Sequence, residues 1–218
     1  MVKQGFVNLP EEEQGKILEA ALDEFSEKDY DAASLNQIIS RAGISKGSMY
    51  HYFNNKEELF IYVLEEAMKK KKAFLTEVLN QSDKKLHKLD IFENLELQLH
   101  SAISFARKNY RYHQISINLQ NMPECELKKR IWGRFREAFE EYMETMVEKA
   151  IFDGAIRSDL GKSFVIRILQ FFLTRFTEIY PDYREMMQKD DSQVTREMSN
   201  LVGFLKNGLQ GPKKREEE

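Results

Sequence analysis

Residues 34–60, SLNQIISRAGISKGSMYHYFNNKEELF, place three helix starts and two helix stops in quick succession. Ser34 is a helix N-cap, Leu35, Ile38 and Ile39 recur at helical spacing, and Gly43 stands where the chain needs a residue tolerant of positive φ. Ser45 caps a second short helix whose inward residues are Met49 and Phe53, Asn54 and Asn55 end it, and KEELF opens a long one. Neither short helix can bury its apolar face alone, so longer helices must brace the pair. Such a helix precedes them: Pro10 with Glu11, Glu12 and Glu13 makes a helix start, and Ile17, Leu18, Ala21, Leu22 and Phe25 form its apolar stripe to about Lys28. Two short helices joined by a glycine turn inside this frame make a helix-turn-helix domain.

Ten glycines and four prolines in 218 residues leave little material for turns, so an all-α protein is expected throughout. Further helices are expected at Leu89 to Arg107, Tyr110 to Leu119, Glu124 to Phe152, Ser163 to Tyr183 and Gln193 to Gly208. The polar end GPKKREEE, residues 211–218, reads as a disordered tail. A single cysteine, Cys125, excludes an intrachain disulfide, and it is expected to be inert rather than a redox sensor. FVIRILQFFLTRF is interrupted by Arg167 and Arg175, so no membrane contact and a cytoplasmic location are expected. His87, His100 and His113 are evenly spaced, but that spacing turns a helix about 220° beyond whole turns, so they share no face. No metal and no cofactor are expected.

Charge separates the motif from the rest. Acids outnumber bases, 36 to 33, yet no carboxylate occurs from Ala32 through Lys56, where Arg41, Lys46 and Lys56 are the charged residues. A surface cleared of carboxylates suits phosphate oxygens. Gly47, flanked by Lys46 and Ser48, lets a backbone come close to base edges in a major groove; the plainer alternative is a loosened loop. Lys46 and Ser48 supply donors, and Tyr50, one turn on, suits a thymine methyl or a phosphate oxygen.

AGISKGSMYHYFNNKEELF, preceded by LNQI and an amphipathic helix, resembles the N-terminal domain of the TetR family of bacterial transcriptional regulators over roughly Ile17 to Val63. FDGAIRSDLG extends the resemblance weakly, matching the loop ahead of that family's dimerisation helices. The resemblance implies a three-helix DNA-binding domain at 1–56 and a larger helical effector-binding and dimerisation domain at 57–210. It implies that Asn36, Lys46, Gly47, Ser48 and Tyr50 approach bases, and that Ser34, Ser45, His51, Tyr52 and Lys56 hold phosphates of a double-stranded operator. It also implies a pocket for a small, apolar effector, with Phe105, Trp132, Phe135 and Phe172 as lining candidates. The last two long helices are expected to build a homodimer through Leu169, Phe172, Phe176, Met198, Leu201 and Leu205. The expected function is a ligand-responsive repressor and not an enzyme. Two rivals stay open at this point: a small helical enzyme using His100 or His113 with nearby glutamates, and a helical interaction protein with a vestigial DNA-binding domain.

Overall fold

A computed structural model describes residues 3–81, 89–179 and 188–209. Among them are ten helices and no strand: α1 (Gln4–Val7), α2 (Glu11–Glu27), α3 (Leu35–Ala42), α4 (Lys46–Tyr52), α5 (Lys56–Gln81), α6 (Ile91–Lys108), α7 (Tyr110–Asn121), α8 (Glu126–Phe152), α9 (Lys162–Ile179) and α10 (Asp191–Leu209). The all-α expectation holds. Boundaries among the described residues move by one or two residues. Asp90 accepts from the Glu93 N–H at 2.8 Å while Glu93 accepts from the Asp90 N–H at 3.0 Å, a reciprocal box that starts α6 at Ile91 rather than at Leu89. Asp190 likewise accepts from the Gln193 N–H at 2.9 Å and starts α10 at Asp191. His87, Tyr183 and the 211–218 tail lie outside the described residues.

The chain forms two compact units, one of residues 1–73 with 108–134, the other of 74–107 with 135–218. This is a different division from the functional boundary read at residue 56, because residues 56–73 of α5, all of α7 and the start of α8 belong to the unit that holds the helix-turn-helix. In the first unit, α2 packs against both α3 and α7. Ile17, Leu22 and Phe25 from α2, Ile38 from α3, Met49 from α4 and Phe60 from α5 are buried together with Ile115 and Leu119 of α7. A fully buried side chain of this size contributes about 1.5–3 kcal/mol. Polar clamps fix α7 on α2: Arg111 reaches Glu19 at 2.7 Å and Asp23 at 2.5 Å, and the Asn118 amide donates to the carbonyls of Phe25 at 2.9 Å and Lys28 at 3.2 Å. Those carbonyls belong to the last turn of α2 and beyond, where no helical N–H serves them.

The second unit is built on four stripes. Leu95, Leu99 and Ile103 of α6 meet Met143 and Val147 of α8, Val165 and Leu169 of α9, and Val194, Met198, Leu201 and Leu205 of α10. Gly154, at φ 74°, turns the chain out of α8, and the Ile156 N–H then donates back to the Ala150 carbonyl at 3.0 Å. The Arg157 N–H donates to the Leu209 carbonyl at 2.9 Å, fixing that turn to the end of α10. No helix among the described residues is long and apolar enough to cross a membrane.

Candidate nucleic-acid interface

The short helices are positioned from behind by a buried carboxylate. Glu24, on the inner face of α2, is fully buried and accepts from the Ser34 N–H and from Lys28 Nζ, at 2.8 and 2.7 Å, with Arg41 3.8 Å away. Burial pushes this carboxyl upward, but the Lys28 ammonium, the Ser34 N–H and the Arg41 guanidinium outweigh it and hold the pKa below the ordinary value. Ser34 is thereby fixed as the N-cap of α3, where its Oγ accepts from the Gln37 N–H at 3.4 Å. At the other end Gly43 takes φ 67°; its N–H donates to the Ser40 carbonyl and the Ile44 N–H to Ile39, closing the helix as the sequence indicated.

Ser45 then caps α4. Its Oγ accepts from the Ser48 N–H at 2.9 Å and shares a second hydrogen bond with Ser48 Oγ at 2.9 Å. Met49 and Phe53 point into the core, as expected, which turns Lys46, Gly47, Tyr50 and His51 outward. A methyl group at Gly47 would meet only Ser45 Oγ, at 3.6 Å, an ordinary contact. The protein itself therefore has no need of glycine here, although glycine in a helix costs about 1 kcal/mol against alanine. Asn36 is exposed on α3, and Tyr52 is half-buried against Phe6. The acids nearest this surface are engaged: Glu58 accepts from the Asn54 N–H at 2.9 Å, and Glu57 accepts from Arg130 Nη2 at 2.9 and 3.0 Å and from Arg130 Nε at 3.1 Å.

Lys56 behaves differently from the rest of the set. Its Nζ donates to the carbonyls of Tyr30, Ala33 and Asp31 at 2.6, 3.0 and 3.3 Å, and it lies 4.5 Å from the centroid of the Tyr30 ring. An ammonium has three N–H groups, and all three are committed to backbone. Lys56 is a staple between α5 and the turn that leads into Ser34, not a side chain extended toward solvent.

The residues expected at a dimer interface are largely inside the second unit. Leu169, Met198, Leu201 and Leu205 belong to the second unit's own core, and Phe172 is half-buried against it; the Phe176 side chain is outside the described residues. The helices α9 and α10 instead present Phe164, Phe171 and Phe204, which are 47%, 51% and 71% exposed. Among the effector candidates, Phe105 is buried with its ring edge-on to Phe74 at 5.7 Å, Phe135 is half-buried, and Phe172 stands edge-on to Phe171 at 5.9 Å, all in the second unit. Trp132 belongs to the first unit and is exposed. Cys125 is exposed just ahead of α8, with the Lys128 N–H 3.5 Å from its Sγ. His100 pairs with Thr195 at 2.5 Å in the second unit, whereas His113 is in the first, where burial and then the nearby Lys71 ammonium push its pKa down to about 4.

One element of the site went unread in the sequence. Helix α1 packs on α4, with Phe6 buried among aromatic rings, although nothing upstream of Pro10 shows helical periodicity. A single buried apolar residue in a four-residue helix leaves no repeat to detect.

Compared with known proteins, residues 17–63 match the family model described as bacterial regulatory proteins, tetR family. Over 205 residues the chain is 23% identical to YvdT, an uncharacterized HTH-type transcriptional regulator of Bacillus subtilis, the match covering 92% of this chain and 98% of that one. The fold matches the crystal structure of a TetR family transcriptional regulator from Chloroflexus aurantiacus with a TM-score of 0.69 and 27% identity, over 97% of this chain and 100% of that one. It also matches the transcriptional regulator FadR of Bacillus subtilis, crystallised in complex with stearoyl-CoA, with a TM-score of 0.68 over 89% of this chain and 98% of that one; at 19% identity this likeness concerns the fold alone.

Proposed function

Because the chain belongs to the TetR family of bacterial regulatory proteins, which are DNA-binding transcriptional regulators and not enzymes, we propose that it acts as a homodimeric repressor, released from a roughly palindromic operator by a small, largely apolar effector. The observation that carries the DNA reading is the outward face of α4. Lys46, Gly47 and Tyr50 are exposed there on a helix anchored by Met49 and Phe53, and Gly47 has no reason for being glycine inside the protein. A partner that comes close to the backbone supplies that reason, and a major groove admits such a helix. Lys46, Gly47 and Tyr50, with Asn36 on α3, face base edges; Ser48 contributes through whichever lone pair its bond to Ser45 leaves free. Ser34, Ser45, His51 and Tyr52 lie along the phosphates, where donors fix register without reading sequence.

The dimer forms through α9 and α10, which expose Phe164, Phe171 and Phe204. Two recognition helices about one DNA turn apart then fit a symmetric operator. Phe105, Phe135 and Phe172 in the second unit are the effector candidates; Trp132, on the first, is exposed and is not among them. The complex of FadR with stearoyl-CoA supports an effector with a large apolar part. An effector that favours a conformer with wrongly spaced reading helices weakens DNA binding, and DNA weakens effector binding by the same factor.

Binding titrations over a salt series, with the operator varied one base pair at a time, test the DNA reading. Lys46→Ala costs about 1–3 kcal/mol on the preferred site and relaxes preference at one position of each half-site. Gly47→Leu is worse, since its side chain holds the helix off the groove. Equal loss of preferred and random duplex in Lys46→Ala refutes a base-reading role for Lys46.

A further inference from the structure

The first described residues are fastened to the last turn of α4. The Lys3 N–H donates to the Tyr52 carbonyl at 3.2 Å and Lys3 Nζ donates to the Tyr50 carbonyl at 2.8 Å. Both acceptors lie in the final turn, whose carbonyls have no partner within the helix. The Lys3 ammonium also stands at the negative end of the helix dipole. Phe6 anchors the segment, its ring 4.9 Å from Phe53, 5.0 Å from Tyr62 and 6.0 Å from Tyr52. A helix of seven residues is too short to hold its own last turn in water, so these contacts matter to its end.

Gly5 adds a steric requirement. A Cβ at this position would stand 2.5 Å from His51 Nε2 and 2.8 Å from His51 Cδ2, closer than any real contact, so the imidazole lies directly over the glycine backbone. Its other neighbour is the Tyr52 ring, edge-on at 5.7 Å. The imidazole is thus held between Gly5 and Tyr52. Gly47, by contrast, would place a Cβ no nearer than 3.6 Å to the protein, at Ser45 Oγ.

We propose that residues 3–7 form a strap that holds the final turn of the reading helix and sets the direction of the His51 imidazole, which makes Gly5 a positioning residue for a phosphate contact made by His51. This rests on the DNA-binding reading given above. The partner is the phosphate backbone of duplex DNA, so the strap adds affinity for every sequence and alters no base preference.

The test is a double-mutant cycle on the full chain. Gly5→Ala, His51→Ala and the pair are titrated against the preferred operator and a random duplex, with thermal melting of each variant. Gly5→Ala displaces the imidazole and lowers affinity for both duplexes by about tenfold, the scale of one lost hydrogen bond. In the His51→Ala background the same substitution adds nothing, because the group it moves is already gone. Equal losses in the two backgrounds overturn the proposal, since a general weakening of the fold persists whether or not His51 is present. Unchanged affinity in Gly5→Ala overturns it as well. Failure of the unaltered chain to retain any duplex is a separate result, which removes the DNA-binding reading itself and the strap's role with it.

Discussion

Lys56→Met removes an ammonium while keeping most of the aliphatic stem, and the structure separates two outcomes for it. If Lys56 clamps a phosphate, the substitution leaves the fold nearly intact and lowers the slope of log affinity against log salt by about 0.9. The geometry supports the other outcome. Three carbonyls, of Tyr30, Ala33 and Asp31, receive its N–H groups, and the Tyr30 ring lies beneath the charge. A hydrogen bond to a charged donor is worth about 1.5–3 kcal/mol, but these carbonyls lie near enough to solvent for water to replace part of it. A net loss of about 2–4 kcal/mol is expected, which in a chain of this length lowers the melting temperature by roughly 5–15 °C. Because the Tyr30–Ala33 turn leads into the Ser34 cap, cognate affinity falls at assay temperatures close to the lowered melting point, while the salt slope stays unchanged. Melting by circular dichroism and operator titrations from about 50 to 200 mM salt measure both quantities. A melting temperature within a degree or two of the unaltered chain, together with a slope reduced by about one, refutes the staple and restores the phosphate clamp.

Phe171→Glu places a charge on an exposed stripe and is expected to give a folded monomer in sedimentation, whereas Leu201→Glu, at a position only 8% exposed, unfolds the second unit; a folded Leu201→Glu monomer contradicts this assignment. His113 sits near pKa 4, against an ordinary 6.5, because burial and then the Lys71 ammonium oppose its charge. The unfolded chain takes up that proton first, so the contribution is fully present above pH 6.5 and is lost as pH falls toward 4, by at most about 3 kcal/mol. His113→Gln flattens that stretch of the stability curve measured by denaturant titration, and an unchanged curve counts against it. Glu24→Gln keeps an acceptor for the Ser34 N–H but breaks the pairing with Lys28 and Arg41, with an expected cost of about 1–3 kcal/mol by melting at neutral pH. Since the Glu24 pKa is held low, its contribution is present above the unfolded carboxyl's pKa and disappears as pH falls through the folded value, so the variant and the unaltered chain converge in acid.

What could be read from the sequence was local. Ser34, Gly43 and Ser45 are cap residues whose meaning depends on a few neighbours, and Met49 with Phe53 obeys a one-turn repeat, so the helix-turn-helix emerged with its inward face correct. The positions that differ depend on long-range geometry. Lys56 finds its acceptors more than twenty residues earlier, and no spacing rule distinguishes a lysine aimed at a loop from one aimed at solvent. Met198, Leu201 and Leu205 share an apolar face that the sequence shows, but periodicity gives a face and not the molecule that covers it; here the same protomer does. Trp132 and Phe135 are three residues apart on α8 yet belong to different compact units, a separation that aromatic spacing cannot reveal. Helix α1 acquires its significance only from the rings of Tyr52, Phe53 and Tyr62, which are distant in sequence from Phe6.

The most direct measurement of the central claim is to sequence the genomic fragments that the purified chain retains at physiological salt and again after salt is raised severalfold. A symmetric DNA reader enriches a short sequence with two-fold symmetry, its half-sites about one helical turn apart, and loses all fragments together as salt rises. Replacing Lys46 with alanine then broadens the enriched sequence at one position of each half-site. Retention of fragments without any shared sequence, or of none at physiological salt, contradicts the account.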